Sequence, residues 1–446
     1  MNLLFGTDGV RGRVGLELNE AHIRELGLAA ASHLKAKRVF IGRDTRESSL
    51  SFAMALKEGF SLGGIEAISL GVAPTPEVAH VAKVEHAAGA VISASHNIWS
   101  DNGVKLFAIG GLKISDSIQD AIQKDWGKQL VKGSFNGNDN FQDTLDTRWV
   151  DFVVASTKSN FFKGIRVVLD CANGATTGKA SSIFNRLGAE VIEIGSEPDG
   201  RNINEASGST DPRSLIEKVL STSADVGFAF DGDGDRVMAV DVDGNLLDGD
   251  YLLGICALDR LNKKSLTASS VVVTPMANLG LRKSFLELGI SIDEVEVGDR
   301  NVLEALDKKN WVLGGEQSGH IIFRDLATTG DGVLTAVQSL SAALRANRPI
   351  GELAKSLFSK VPQVLINIDI KNDGLKIVEK IADEVRVVEM ELGTGGRALV
   401  RPSGTEKVIR VMVEALDLLI ANRISEHLSE LVMRTDKALS NAANKT

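Results

Sequence analysis

The sequence predicts an α/β protein built from three similar α/β domains followed by a smaller C-terminal α+β domain. Three observations predict it. A chain of 446 residues, 43% hydrophobic and 24% charged, is too long for one core and has a globular composition. A Phe four residues ahead of a Gly, followed by an apolar strand-like run, occurs three times: "FSLGGIEAISLG" (Phe60 to Gly71), "FNRLGAEVIEIG" (Phe184 to Gly195) and "FLELGISIDEVEVG" (Phe285 to Gly298). The pattern then stops near residue 360, where the chain changes character.

In each repeat the Gly reads as the stop of a helix and the run after it as a strand. Another apolar strand lies upstream of each helix: "RVFIGRD", "IRVVLDCANG" and "SVVVTPMANLG". Strand, Gly-containing loop, helix and strand make an α/β unit, and a repeat spacing of roughly a hundred residues means duplicated domains rather than a solenoid. The polar stretch "KGSFNGNDNFQ" (Lys132 to Gln142) reads as a surface loop or linker near the first boundary. Past residue 360, "QVLINIDI", "GRALVRPSG" and "VIRVMVEALD" read as strands before a terminal helix of roughly Ala421 to Ser440. The expected domains are residues 1–150, 151–246, 247–360 and 361–446.

Composition excludes several classes. A net charge of −9 without a basic stripe argues against nucleic-acid binding. No apolar run approaches the roughly 18 residues of a membrane helix. "MNLLFGTDGVRG" reaches Gly, Asp and Arg too soon for a signal-peptide core. Cys171 and Cys256, the two cysteines, cannot form a disulfide framework in a chain this long. The expected setting is cytoplasmic.

The candidate chemistry sits in short loops. "FAFDGDGDRVMAVD" alternates Asp231, Asp233 and Asp235 with glycines directly after an apolar strand. In extended chain residues i, i+2 and i+4 point to one side, so the three carboxylates are expected to converge. Like charges about 4 Å apart repel by ~4 kcal/mol at an effective dielectric near 20, so a hard cation, Mg²⁺ first, is the natural partner. The alternative is an acidic hairpin turn, which is how "VDVDGN" (Val240 to Asn245) reads; an EF-hand fails, with Arg236 at the sixth position and Val242 at the twelfth.

In "RALVRPSGTEKVIRVMVEA", Arg401, Ser403, Gly404 and Thr405 occupy a turn between strands, with Arg410 in the second strand. Backbone N–H groups, hydroxyls and arginine suit a phosphate, although Pro-Ser-Gly is also an ordinary turn. "GGEQSGH" puts Glu316 and Ser318 on one side by parity and Gln317 on the other, either a clamp for sugar hydroxyls or a polar turn. Arg11 in "FGTDGVRG" and Arg43 and Arg46 in "GRDTRESS" are anion-binding candidates or solvated surface groups. Among seven histidines, His22, His33, His80, His86 and His427 read as structural or exposed, whereas His96 and His320 lie in loops at strand ends, where α/β proteins place their sites. "AVISASHNIWSDNGVKLF" (Ala90 to Phe107) delivers Ser93 and Ser95 to one of these loops, and parity does not choose between them.

Together "FGTDGVRG", "SASHN…DNGVK", "DGDGDR", "GGEQSGH", "TTGDG" and "RPSGTE" resemble the motifs of the α-D-phosphohexomutase superfamily, in its order and near its spacing across most of the chain. The resemblance implies four domains, three with mixed sheets and one C-terminal, around a central cleft. It implies that Ser95 carries a phosphoryl group and, with Asp231, Asp233 and Asp235, holds one Mg²⁺. Phospho-Ser95 would pass its phosphoryl to a sugar oxygen, giving a sugar 1,6-bisphosphate that turns round and returns its other phosphoryl to Ser95. Arg11 and Lys105 would offset charge, and Lys105 or His320 would move the hydroxyl proton. His96 would organise the serine loop. Glu316, Ser318 and Arg236 would bind substrate, and Arg401, Ser403, Gly404, Thr405 and Arg410 would hold the idle phosphate.

"GTDGVRG" and Gln317 look like the glucosamine branch, which implies interconversion of glucosamine 6-phosphate and glucosamine 1-phosphate. A phosphomannomutase or phosphoglucomutase, a Mg-dependent sugar phosphatase and a non-catalytic sugar-phosphate-binding protein are the alternatives. The expected partner is a small-molecule sugar phosphate, the expected state a monomer or homodimer. Two positions depart from the motifs: Ile98 and Lys407 stand where the superfamily usually has proline. Ile98 is expected to be tolerated packing, and both changes are expected to loosen their loops.

Overall fold

The computed structural model describes residues 5–6, 9–128, 143, 146–403 and 407–443. The expected linker at 132–142 lies outside the described residues, as do Gly404 and Thr405. The chain forms two compact units, one of Met1–Met276 and Gly289–Leu357, the other of Ala277–Leu288 and Phe358–Thr446.

The first unit contains three sheets. The first comprises β1 (Val10–Arg13), β2 (Arg38–Arg43), β3 (Glu66–Val72), β4 (Ala88–Ile92), β5 (Asp101–Ala108) and β6 (Leu112–Lys113), in the order β1-β5-β4-β2-β3 with β6 on β5. The second comprises β7 (Arg166–Asp170), β8 (Glu190–Ile194), β9 (Val226–Phe230), β10 (Val237–Asp241) and β11 (Leu246–Leu247), ordered β11-β10-β9-β7-β8. The third comprises β12 (Ser270–Val273), β13 (Ser291–Glu294), β14 (Leu313–Gly315) and β15 (Ile321–Phe323), ordered β13-β12-β14-β15.

One four-strand motif underlies all three. A leading strand pairs in parallel with the strand that follows the repeat helix (β2 with β3, β7 with β8, β12 with β13) and, on its other side, with a third parallel strand (β4, β9, β14). A fourth strand (β5, β10, β15) then pairs antiparallel with the third. The repeated glycines have the predicted role: Gly64, Gly188 and Gly289 follow the helices Ser49–Leu62, Lys179–Arg186 and Leu279–Glu287 with φ of +81°, +94° and +69°. That region favours glycine, so the helix stops there. Phe60, Phe184 and Phe285 are fully buried, each contributing on the order of 1.5–3 kcal/mol of apolar burial.

In the second unit, β16 (Gln363–Asp369), β17 (Arg397–Pro402) and β18 (Val408–Glu414) form an antiparallel sheet in the order β16-β18-β17. The terminal helix runs Leu418–Ala443, longer than expected at both ends, and a second helix, Gly374–Leu392, has no counterpart in the sequence reading. That helix buries only Ile377, Ile381 and Val388 along 19 residues, so its apolar stripe is thin. Cys171 and Cys256 are buried and unbridged. Among the described residues no helix is long and apolar enough to cross a membrane.

Candidate active site

The three sequence loops occupy equivalent places. Ser95 lies between β4 and β5, Asp231 to Asp235 between β9 and β10, and Glu316 to His320 between β14 and β15. Each is the passage from the third parallel strand to the antiparallel fourth, at the carboxyl end of the parallel strands.

At the first loop the chain leaves extended conformation, and Ser95 takes φ +53°. For a serine that backbone costs roughly 1–2 kcal/mol, so the surroundings must hold it. Ser93 Oγ accepts the Ser95 N–H at 2.9 Å, while Ser95 Oγ donates to Asp231 Oδ2 at 2.6 Å. Two serines equivalent by parity thus take different parts: Ser93 braces the turn, and Ser95 faces the aspartates.

The aspartates converge, but not by strand parity. β9 ends before Asp231, and a turn closed by Gly234 N–H on Asp231 O (3.0 Å), with Gly234 at φ +73°, gathers the side chains. Ligand oxygens of Asp231, Asp233 and Asp235 lie within 4.8 Å of one another, all buried. Lys105, on β5 and 3% exposed, bonds Asp233 Oδ2 and Asp235 Oδ2 at 2.7 Å each. Thr75 Oγ1 donates to Asp233 Oδ2 (2.6 Å) and Arg236 N–H to Asp231 Oδ1 (3.1 Å). Burial, together with Asp235 and Asp233, pushes the Asp231 carboxyl up to about 8. Burial also works to raise Asp235, but Lys105 and then His320 outweigh it and hold that carboxyl well below the usual range. Among the described residues no donor lies within hydrogen-bond distance of the buried Asp233 Oδ1 or Asp235 Oδ1. Three crowded carboxylates with two buried oxygens lacking donors fit a hard cation with oxygen ligands.

The third loop is a tight turn rather than extended chain, which replaces the parity argument there too. Glu316 N–H donates to His320 O and Gly319 N–H to Glu316 O, both at 3.0 Å. Glu316 Oε1 accepts from Gly298 N–H at 3.1 Å, and Ser318 Oγ lies 3.5 Å from Glu316 Oε2. The turn packs so closely on β10 that a Cβ on Gly319 would fall 2.1 Å from Val237 O. His320 is buried between two carboxylates, Nδ1 3.6 Å from Asp235 Oδ1 and Nε2 3.6 Å from Asp299 Oδ2. Burial works to lower its pKa, but Asp235 and Asp299 hold it above the ordinary value. Asp299 also pairs with Lys113. A charge chain thus runs from Lys113 through Asp299, His320 and Asp235 to Lys105.

Residues 2–130, 139–244, 248–361 and 365–431 match, in order, the phosphoglucomutase/phosphomannomutase alpha/beta/alpha domains I, II and III and C-terminal domain. A phosphoglucosamine mutase of Thermobifida fusca is 43% identical, the match covering 97% of this chain and 98% of that protein. The chain belongs to the phosphoglucomutase/phosphomannomutase family. Another phosphoglucosamine mutase, from Pseudoalteromonas atlantica, is 42% identical, with 96% and 98% covered. Two solved structures share the fold. A phosphoglucomutase/phosphomannomutase family protein of Burkholderia thailandensis superposes with a TM-score of 0.79 at 23% identity, covering 96% of this chain and 97% of that one. An Aspergillus fumigatus N-acetylphosphoglucosamine mutase, in complex with GlcNAc-6P and magnesium, gives 0.72 at 15% identity, covering 98% and 96%.

The remaining candidates each have a place in their own unit. Arg11 lies on β1. Burial, then Arg236 and Arg11, lowers His96 to about 4, and its Nδ1 is 3.3 Å from Ser95 Oγ. Arg401 and Arg410 are direct cross-strand partners on β17 and β18. Ser403 N–H donates to Val408 O at 2.9 Å. Arg43 bonds Asp143 at 3.0 Å, a structural tie. Ile98 is 60% exposed, so it is not packing as expected.

The sequence reading missed Thr75, Asp299, Lys113 and Asn204, and took Arg46 for one of several surface candidates. Arg46 is buried, paired with Asp44, and reaches the Ser95 and Asn97 carbonyls; Asn204 Nδ2 reaches the same two. "GRDTRESS" carried the one available signal, an Asp two residues before an Arg at a strand end. Nothing local in "RNINEAS" marks Asn204.

Proposed function

We propose that the chain is a phosphoglucosamine mutase, an isomerase that interconverts glucosamine 6-phosphate and glucosamine 1-phosphate through a phosphoserine at Ser95. The observation that carries the reading is the 2.6 Å bond from Ser95 Oγ to Asp231 within a buried triad of carboxylates. The relatives of about 40% identity, named phosphoglucosamine mutases over nearly their full length, support the sugar.

In the first half-reaction the free sugar hydroxyl forms an O–P bond as the Ser95 Oγ–P bond breaks, and the hydroxyl proton passes to a base. His320 is suited to that role because two flanking carboxylates stabilise the proton it gains. Lys105, ion-paired to two carboxylates at 2.7 Å, is placed to neutralise charge. The bisphosphate turns round, and its other phosphoryl returns to Ser95 with the reverse proton transfer. Asp231, Asp233, Asp235 and an oxygen on Ser95 would hold one Mg²⁺, which when bound offsets charge on the transferring group. Arg11 and Arg236 would add positive charge, Glu316 and Ser318 would bind sugar hydroxyls, and Arg401, Ser403, Gly404, Thr405 and Arg410 would hold the idle phosphate.

Purified protein with Mg²⁺ and a trace of glucose 1,6-bisphosphate should convert glucosamine 6-phosphate faster than glucose 1-phosphate or mannose 1-phosphate, followed by ³¹P NMR. Preference for a hexose phosphate moves the activity to a sister branch. Release of inorganic phosphate makes the protein a phosphatase.

A further inference from the structure

The carbonyls of Ser95 and Asn97 are each held twice. Arg46 Nη2 donates to Ser95 O at 3.2 Å and to Asn97 O at 2.6 Å. Asn204 Nδ2 donates to the same oxygens at 2.8 and 2.9 Å. Arg46 follows β2 of the first sheet, whereas Asn204 lies on the loop leaving β8 of the second. We propose that Asn204 is a positioning residue for the reacting serine: with Arg46 it locks the left-handed backbone at Ser95, so the serine loop reaches its working geometry only with the second sheet's loop docked on it. The reactive role of the locked serine rests on the mutase reading; the lock itself rests on geometry.

The argument starts from the backbone. A serine at φ +53° persists only where its surroundings over-determine it. The loop's own device, the Ser95 N–H on Ser93 Oγ, fixes one side of the peptide and leaves the carbonyls to be held from outside. Arg46 is rigid enough to serve, because Asp44 pairs with it and Ser49 Oγ in turn donates to Asp44 Oδ1 at 2.6 Å.

Asn204 is equally fixed. It is 8% exposed, and its N–H donates to Ala172 O at 2.9 Å. A Cβ on Gly232, in the metal loop, would fall 2.6 Å from Ser95 O and 2.9 Å from Asn204 Nδ2, so the amide fills the space between the serine loop and the aspartate turn. A second, exposed grip accompanies it: Arg201 bonds Glu47 at 2.8 and 3.2 Å and lies 5.1 Å over the Trp99 ring. The residue type matters because the amide gives N–H groups to carbonyls. Asn204→Asp keeps the shape and removes the donors, setting a carboxylate against two carbonyl oxygens.

The test compares Asn204→Asp and Asn204→Ala with wild type by hydrogen–deuterium exchange over residues 93–98 and by steady-state kinetics with glucosamine 6-phosphate, Mg²⁺ and glucose 1,6-bisphosphate. The expected result is faster exchange over 93–98 with unchanged exchange in the helix Glu20–Leu34, and a kcat lower by ~10- to 100-fold at a KM within about twofold. Unchanged exchange over 93–98 in a variant that melts like wild type overturns the proposal. So does exchange that rises equally throughout the first unit, which would make Asn204 a general stabiliser. The exchange arm needs no turnover, so a wild type that fails to isomerise the sugar would sink the mutase reading and still decide the clamp.

Discussion

Replacing Lys105 by Met removes the only lysine that the described residues place against both Asp233 and Asp235, while keeping most of the side-chain volume. Each contact is 2.7 Å, which at an effective dielectric near 20 is about 6 kcal/mol of attraction before desolvation. Breaking a buried pair from one side costs ~3–5 kcal/mol net, because the stranded charge remains. Lys105→Met is therefore expected to lower the stability of the first unit by ~3–5 kcal/mol at pH 7 in EDTA.

The pH dependence follows from Asp235. Its carboxyl is depressed in the folded protein, so its contribution is present above the unfolded carboxylate pKa and disappears as pH falls through the folded value. The penalty of the substitution should accordingly shrink toward acid. Mg²⁺ should return part of the loss, because a cation bound only to the folded triad stabilises by mass action. Urea unfolding followed by tryptophan fluorescence reads this unit, since Trp99, Trp126, Trp149 and Trp311 all belong to it. A loss below ~1 kcal/mol in EDTA, the scale of an exposed ion pair, would refute the view that Lys105 neutralises the triad.

Further outcomes follow from the same geometry. Ser93→Ala should lower kcat while Ser95 still accepts a phosphoryl group, read by intact mass, because the Ser93 hydroxyl only accepts from the Ser95 N–H at 2.9 Å and from Arg46 Nη1 at 3.4 Å. His80 is stacked on Phe152 at 4.5 Å, and burial lowers it to about 4. The unfolded chain then binds the extra proton between pH 4 and 6.5, so stability rises with pH across that window, and His80→Phe should flatten the rise in melting temperature. Arg401→Gln should raise KM for glucosamine 6-phosphate by roughly tenfold, the loss of one charged hydrogen bond.

Much of this molecule was legible because local rules decide it. The Phe-to-Gly spacing marked three helix stops, and all three glycines adopt the left-handed backbone that spacing implies. "DGDGD" and "SASHN" marked strand-end loops that carry the candidate chemistry. Parity misread how they work: strands end before Asp231 and before Glu316, and tight turns gather the side chains. The same departure separates Ser93 from Ser95, which no period-two argument could do. Residues whose importance depends on another segment were invisible. Asn204 acts on carbonyls more than a hundred positions away, and Asp299 on a histidine in a different loop. The helix Gly374–Leu392 was missed because three buried residues give too thin a stripe to read against its charged faces.

The central claim is that Ser95 relays a phosphoryl group between two positions of one sugar. The most direct test loads the protein with ³²P from labelled glucose 1,6-bisphosphate, maps the label by peptide digestion, and chases with unlabelled glucosamine 6-phosphate. The account predicts label on the peptide containing Ser95, none in Ser95→Ala, and transfer of the label to sugar phosphate during the chase. Label on another residue, or its departure as inorganic phosphate, would contradict it.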